Sequence, residues 1–116
     1  MSRMYRKTKE TEITVELSFD GKGEYSIDTG VGFFNHMLES LSKHSGIDMQ
    51  ISCKGDLHVD FHHTVEDVGI ALGEAFYKAV FPVGAIERFG EAKIVMDEAL
   101  VESAIDISGR PFLYFD

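Results

Sequence analysis

Side chains that could bind a metal ion are concentrated between residues 60 and 67. Imidazole and carboxylate groups occupy most of these positions: Asp60, His62, His63, Glu66 and Asp67. Because the backbone before a helix is often extended, the neighbouring side chains of His62 and His63 are expected to point to opposite sides. We interpret the pair as ligands of two different ions, with Glu66 on the side reached by His62. A charged, solvated helix start is the alternative, and the local pattern does not decide between the two.

Thr64 indicates where this helix is expected to begin. Threonine is a good N-cap residue, and Asp67 three residues later resembles the acidic partner of a capping box. We therefore predict a helix from Val65, with Glu66 in its first turn.

The composition is that of an ordinary globular protein. The chain has 116 residues, of which 44% are hydrophobic and 27% charged, enough for one domain or part of one. Its net charge of -9 argues against nucleic acid or an anionic membrane as a partner. Cys53, the single cysteine, is interpreted as a packing residue and favours a reducing, cytoplasmic compartment. Residues 1–10 lack the apolar core of a signal peptide, and no apolar run approaches the ~20 residues that cross a bilayer.

Hydrophobic periodicity predicts an α/β fold, as an α+β sandwich of two layers with the helices on one face of the sheet. Alternating apolar positions predict strands over residues 12–19, 24–28, 47–53, 57–60, 89–96, 100–107 and 112–115. Helical spacing predicts one helix from Phe33 to about His44 and a second from Val65 to the breakers Pro82 and Gly84. Turn residues at 20–23 predict a hairpin between the first two strands.

A weak internal repeat relates positions that are 88 residues apart. The matched pairs are Glu10 and Glu98, Leu17 and Ile105, Gly21 and Gly109, Lys22 and Arg110, and Asp28 and Asp116. Both copies have the pattern strand, turn with a basic residue, strand, although chance similarity between two hairpins is an alternative. The repeat predicts one complete ββαββα-like half-domain over residues 1–86 and the opening strands of a second over residues 87–116.

Several long motifs resemble the imidazoleglycerol-phosphate dehydratase family, and they occur in the family's order along essentially the whole chain. They lie at residues 29–38, 44–46, 55–67, 88–90, 96–100 and 106–111. The resemblance implies a hydro-lyase of histidine biosynthesis that converts imidazoleglycerol phosphate to imidazole acetol phosphate and water. It also implies two similar half-domains, two manganese ions per active site, and a large octahedral homo-oligomer with active sites between subunits.

Matched position by position, the resemblance assigns four metal ligands. It implies that His36 and His63 bind one manganese ion, and that His62 and Glu66 bind the other. On the residues alone His36 would be a structural histidine in an aromatic helix start. Imidazole and carboxylate ligands also suit zinc, iron or nickel, so only the resemblance selects manganese.

The resemblance also assigns substrate contacts. Arg88 and Arg110 match phosphate-binding positions, and a guanidinium suits a phosphate monoester, although both would otherwise be ordinary turn or surface residues. Glu10 matches an acid that contacts substrate, and Glu98 is its repeat partner. Two cations on the nitrogens of a substrate imidazole would lower its pKa and favour loss of the adjacent hydroxyl. Glu10 or Glu98 could then move protons.

Three departures from the family pattern limit what this chain is expected to do. Phe61 and Asn35 stand where the family commonly has aspartate, and a second His-His-x-x-Glu unit does not occur within the 116 residues. Each ion therefore has only two matched ligands, whereas a manganese site takes about six donors. We expect an enzyme of this family that is inactive as the 116-residue chain alone. A non-catalytic folding or interaction module is the alternative, and a simple metal-dependent hydrolase fits the long motifs less well.

Overall fold

A computed structural model describes residues 1–116 and contains six strands and two helices, which confirms the mixed α/β class. The elements are β1 (Ser2–Lys7), β2 (Thr11–Ser18), β3 (Tyr25–Asp28), α1 (Gly32–Ser45), β4 (Asp48–Gly55), α2 (His62–Val80), β5 (Phe89–Met96) and β6 (Ala99–Asp106). The chain divides into two compact units, Met1–Val80 and Phe81–Asp116. Neither helix combines the length and apolar character needed to cross a membrane.

The first unit is a four-stranded sheet covered by both helices. The strand order is β1-β2-β4-β3, with β1 and β4 antiparallel to β2 and with β3 parallel to β4. The predicted hairpin between the strands now labelled β2 and β3 is therefore wrong, because β4 lies between them.

Asp48 explains why the turn at residues 20–23 does not close a hairpin. Its Oδ1 accepts the backbone N–H groups of Lys22 at 2.9 Å and Glu24 at 2.8 Å. These hydrogen bonds also lower the pKa of the Asp48 carboxyl. The turn is thus attached to the first residue of β4, which inserts between the two earlier strands.

The core lies on one face of this sheet, because inward and outward side chains alternate along the strands. The buried strand residues are Ile13, Val15, Leu17, Met49, Ile51 and Cys53, and the helices cover them with Leu38, Val68, Ala71 and Ala75. Burial of each large apolar side chain contributes about 1.5–3 kcal/mol. Cys53 belongs to this core, and its burial raises the pKa of the thiol.

Helix α1 closely follows the predicted range of 33–44. It ends at Gly46, which has φ 76° and donates its N–H to the carbonyl of Ser42 at 3.0 Å, a left-handed helix terminus that suits glycine. Near its start, Asn35 Oδ1 accepts hydrogen bonds from the Thr29 N–H at 2.9 Å and the Thr29 hydroxyl at 2.5 Å. The amide oxygen of Asn35 thus supplies the acceptor that an aspartate would supply.

The predicted start of helix α2 is wrong. The helix begins at His62, because the carbonyl of Phe61 already accepts the N–H of Val65 at 3.0 Å. Thr64 is the third helical residue and is fully buried, and Asp67 bonds to Thr11 rather than to a cap.

Two strand predictions also fail, and one strand was missed. Residues 57–60 form a turn, which the Val59 N–H closes by donating to the Asp56 carbonyl at 2.9 Å, and residues 112–115 form no strand. Strand β1 was not predicted, because Ser2–Lys7 is mostly polar. It forms through pairing with β2, which supplies the burial that its own sequence pattern does not indicate.

The second unit contains an antiparallel hairpin of β5 and β6, whose residues are all exposed. Adding 88 to each residue number of the β1–β2 pairing gives the β5–β6 pairing. The pair Ser2 and Leu17 becomes residues 90 and 105, and the pair Lys7 and Glu12 becomes residues 95 and 100. The repeat in the sequence is therefore matched by a repeat in strand pairing.

Candidate functional site

The two histidines of the predicted metal motif are the first two residues of α2. Their ring centroids are 4.1 Å apart and the ring planes are inclined by 49°. They do not lie in extended backbone, so the expectation that His62 and His63 point to opposite sides is wrong. The assignment of the two residues to different ions consequently rests on the family resemblance alone.

Asp56 binds His63 and is the residue that sequence reasoning missed. Its Oδ2 lies 2.7 Å from His63 Nδ1. This hydrogen bond is the main cause of a raised pKa of His63 and a lowered pKa of Asp56. Neutral His63 bonded in this way donates from Nδ1 and leaves Nε2 available, an arrangement typical of histidines that bind metal. The family commonly has an aspartate at the position of Phe61. In this chain Asp56 provides a carboxylate beside the histidine pair.

A close approach between β4 and α2 places Asp56 next to His63. Strand β4 ends at Gly55, where an added Cβ would overlap the Thr64 hydroxyl. Only glycine permits this spacing, and the following turn then carries Asp56 to the first turn of the helix. The sequence signal was a Gly-Asp turn seven residues before the histidine, which is indistinguishable from an ordinary turn.

The other predicted ligands are exposed and do not form a complete site. His62 Nδ1 lies 4.0 Å from Asp60 Oδ2, and Glu66 follows one helical turn after His62 without a hydrogen-bond partner. His36 is exposed on α1. Nowhere in the chain do three His, Cys, Asp or Glu side chains converge on a point that could hold an ion.

Glu10 lies in the connection between β1 and β2, on the same unit as the histidine pair. After the effect of Asp56, the charges of Glu10 and Asp67 also raise the pKa of His63. The next residue, Thr11, pairs with Gly55 at the end of β4 and donates its hydroxyl to Asp67 of α2, so the turn of Glu10 adjoins the elements that carry Asp56 and His63.

Of the two predicted phosphate-binding arginines, Arg88 bonds directly to a carboxylate of the second unit. Arg88 Nε and Nη2 donate to the two carboxylate oxygens of Asp106 at 2.6 and 3.1 Å, and the guanidinium lies 5.0 Å from the centroid of the Phe89 ring. Arg88 is the main cause of a lowered pKa of Asp106, and the charge of Arg110 contributes. The side chain of Arg110 forms no hydrogen bond or ion pair, so its guanidinium is the freer of the two.

Glu98 lies at the opposite end of the same hairpin from the arginines. It occupies the turn between β5 and β6, whereas Asp106 pairs with Phe89 where the hairpin opens. At about 3.3 Å per residue, an eight-residue strand separates the two ends by roughly 23 Å. One chain therefore does not bring Glu98 to the arginines.

Asp56→Asn is expected to lower the pKa of His63 toward its ordinary value and to destabilise the protein between about pH 4 and 6.5. The Asp56 pKa is depressed on folding, so its stabilisation is present above about pH 3.9 and is lost as the pH falls further. The His63 pKa is raised on folding, so its stabilisation is present below about pH 6.5 and is lost as the pH rises through the folded value. NMR titration of His63 and thermal unfolding across this range measure the two effects.

Asp60→Asn is the matched control, since it removes an exposed carboxylate beside the same histidine pair. It should leave the His63 titration nearly unchanged. Equal shifts in the two variants would contradict the assigned role of the Asp56–His63 hydrogen bond.

Known proteins of one family share this sequence and fold. The family model described as imidazoleglycerol-phosphate dehydratase matches residues 29–116. Imidazoleglycerol-phosphate dehydratase from Nitratiruptor sp. is 64% identical over 116 residues, which are all of this chain and 61% of that protein. The protein of the same name from Aliarcobacter butzleri is 60% identical with the same coverage. The chain spans about three fifths of the length of these curated relatives.

Two solved structures resemble the fold. The dehydratase of Staphylococcus aureus has a TM-score of 0.78 and 35% identity, and the match covers 96% of this chain and 60% of that one. The structure from Pyrococcus furiosus in complex with (S)-C348 has a TM-score of 0.77 and 41% identity, and the match covers 93% and 56% of the two chains. The chain belongs to the imidazoleglycerol-phosphate dehydratase family.

Proposed function

We propose that this chain contributes to an enzyme of histidine biosynthesis that dehydrates imidazoleglycerol phosphate to imidazole acetol phosphate and water. The observation that carries the proposal is the His63 imidazole, which Asp56 orients through Nδ1 at the start of a helix rich in ligand side chains. Family membership supports this substrate and this reaction. A biosynthetic role and a single free thiol favour the cytoplasm.

The first turn of α2 offers donors that suit a divalent transition metal. His63 has Nε2 free, and His62 and Glu66 are exposed without hydrogen-bond partners. We assign His63 with His36 to one manganese ion, and His62 with Glu66 to the other. When bound, the ions would supply Lewis acidity that favours ionisation of an imidazole. Their remaining donors would come from water, from other copies of the chain, or from residues that the longer relatives carry.

The arginines and glutamates of the chain would bind the phosphate and move protons. Arg110 is free to pair with a phosphate oxygen, and Arg88 is held in a fixed orientation by Asp106. Glu10, whose turn adjoins the end of β4 and the start of α2, would exchange a proton with the substrate side chain.

The separation of Glu98 from the arginines favours active sites shared between chains. A small phosphate ester cannot contact both ends of a hairpin that is roughly 23 Å long. Glu98 and the arginines of one chain would therefore serve different active sites. We propose a homo-oligomer in which each site takes residues from more than one copy.

A non-catalytic interaction module is the second candidate, and the exposed hairpin favours it. One face of β5 and β6 carries Ile94, Val101 and Ile105, all at least 60% exposed. Ile105 and Val101 correspond in the repeat to Leu17 and Ile13, which are covered by α2. Such a face would associate with a partner whether or not the chain is active.

Turnover distinguishes the two candidates. The 116-residue chain alone is expected not to form imidazole acetol phosphate, because no three ligand side chains converge in it. The same chain, extended to the full length of its relatives, is expected to be active with manganese. Both forms should be assayed from a host that lacks its own dehydratase. Inactivity of the metal-loaded extended chain would overturn the proposed function, and turnover by the short chain would show that further ligands are not needed.

His63→Ala is expected to remove one class of manganese site and to leave the class that contains His62 and Glu66. The physical reason is the loss of the Nε2 donor that Asp56 orients. Metal analysis and manganese titration of the extended, assembled protein measure stoichiometry and affinity. His58→Ala, which removes an exposed histidine of the same segment, is the control. Unchanged manganese binding by His63→Ala would rule out this ligand.

Arg110→Ala, in the extended chain, is expected to weaken binding of the phosphate-bearing substrate by about 2–4 kcal/mol. The dephosphorylated analogue should bind nearly as before, because it lacks the charge that Arg110 pairs with. Lys93→Ala removes a positive charge from the same hairpin and is the control. Calorimetry with both ligands measures the difference, and equal weakening for the two would exclude a phosphate role.

A further inference from the structure

Asp67 is a buried carboxylate to which the predicted site assigns no role. It lies on α2 one helical turn after His63, and its side chain is 13% exposed. Its Oδ2 accepts the hydroxyl of Thr11 at 2.7 Å, and its Oδ1 lies 3.9 Å from Arg6 Nη2. Because a buried charge is costly unless it is bonded, these contacts fix Asp67 against strands β1 and β2.

Thr11 connects Asp67 to the turn that carries Glu10. The Thr8 and Thr11 hydroxyl oxygens are 3.3 Å apart, and Thr8 Oγ1 accepts the N–H groups of Glu10 and Thr11, each at 3.1 Å. The Thr8 N–H donates to the Thr11 carbonyl at 2.8 Å. A continuous chain of hydrogen bonds therefore runs from α2, through two hydroxyl groups, to the backbone of Glu10.

The β5–β6 hairpin, which repeats the β1–β2 hairpin, closes its turn without such a chain of hydrogen bonds. The β5–β6 hairpin has the same register, yet Met96 and Ala99 occupy the positions that correspond to Thr8 and Thr11. Glu98, the counterpart of Glu10, thus lies in a turn without either hydroxyl. The hydroxyl groups distinguish the turn of Glu10, which is bonded through Thr11 to the helix that carries the histidine pair.

We propose that Thr11 and Asp67 are positioning residues that hold Glu10 in place relative to His63. This inference rests on the proton-transfer role that the proposed function gives to Glu10. The hydroxyl of Thr11 links the turn to the helix that carries the predicted metal ligands, so Glu10 and His63 keep one relative placement. Neither Thr11 nor Asp67 needs to contact the substrate.

Thr11→Val removes the hydroxyl and keeps the shape of the side chain, whereas Thr11→Ser keeps the hydroxyl. In the extended chain with manganese, Thr11→Val is expected to lower kcat roughly 10- to 100-fold, as for a misplaced catalytic group, with little change in KM. Thr11→Ser should recover most of the lost kcat. In a Glu10→Gln background, Thr11→Val should cause little further loss, because the group that it positions is already gone.

A second measurement does not depend on turnover. In the 116-residue chain, Thr11→Val should increase the hydrogen-exchange rates of the Glu10 and Thr11 amides more than those of the β2–β4 ladder, and Thr11→Ser should not. A uniform increase across the first unit would show a general loss of stability and would overturn the proposal.

The kinetic outcomes separate this inference from the proposed function. If Glu10→Gln lowers kcat but Thr11→Val does not, or if Thr11→Ser is as impaired as Thr11→Val, the positioning role is wrong and the proposed function stands. If Glu10→Gln retains full kcat in an active protein, the role of Glu10 is wrong and the positioning role is overturned with it.

Discussion

The close approach of β4 to the first turn of α2 is the constraint on which the candidate site depends. Gly55 has no Cβ, so the end of the strand can lie against the Thr64 hydroxyl. The next residue, Asp56, then reaches His63 Nδ1 at 2.7 Å. A larger residue at position 55 would displace the helix start, and the orientation of His63 would change with it. The geometry of the imidazole is thus set by backbone packing as much as by its own hydrogen bond.

Core packing maintains this approach. Helix α2 covers β1 and β2 through small and branched side chains, with Val68, Ala71 and Ala75 fully buried. Small residues allow the helix to lie close to the sheet, which keeps its first turn beside the end of β4. The same packing buries Asp67 beside Thr11 and so connects the helix to the turn of Glu10. The proposed ligand side chains and the proposed proton-transfer residue are therefore carried on one compact unit.

The two hairpins show how one pairing pattern can carry different chemistry. Their registers are identical after displacement by 88 residues, but their connections differ in hydroxyl content. In the second hairpin, Arg88 is bonded to Asp106 at the open end of the two strands. Glu98 lies at the other end, in the turn. Since a strand of this length separates these groups, an active site that uses both kinds of residue needs more than one chain.

The sequence by itself determined the α/β class, most strand and helix positions in the first unit, the repeat, and the residue types of the site. These features depend on local periodicity and on long motifs, which can be recognised in the sequence without knowledge of long-range contacts.

Tertiary structure alone decided the insertion of β4 beside β2, the pairing of β1, the start of α2 at His62, and the hydrogen bond between Asp56 and His63. Each of these depends on contacts between residues that are distant in sequence or on a close backbone approach. Hydrogen bonds to Asp48 hold a turn whose sequence is typical of a hairpin against β4 instead. The sequence around Thr64 is typical of a helix cap, but Thr64 is a buried residue inside the helix. Local propensity is weak beside such contacts, because the burial of several apolar side chains together contributes more free energy than one favourable cap or turn residue.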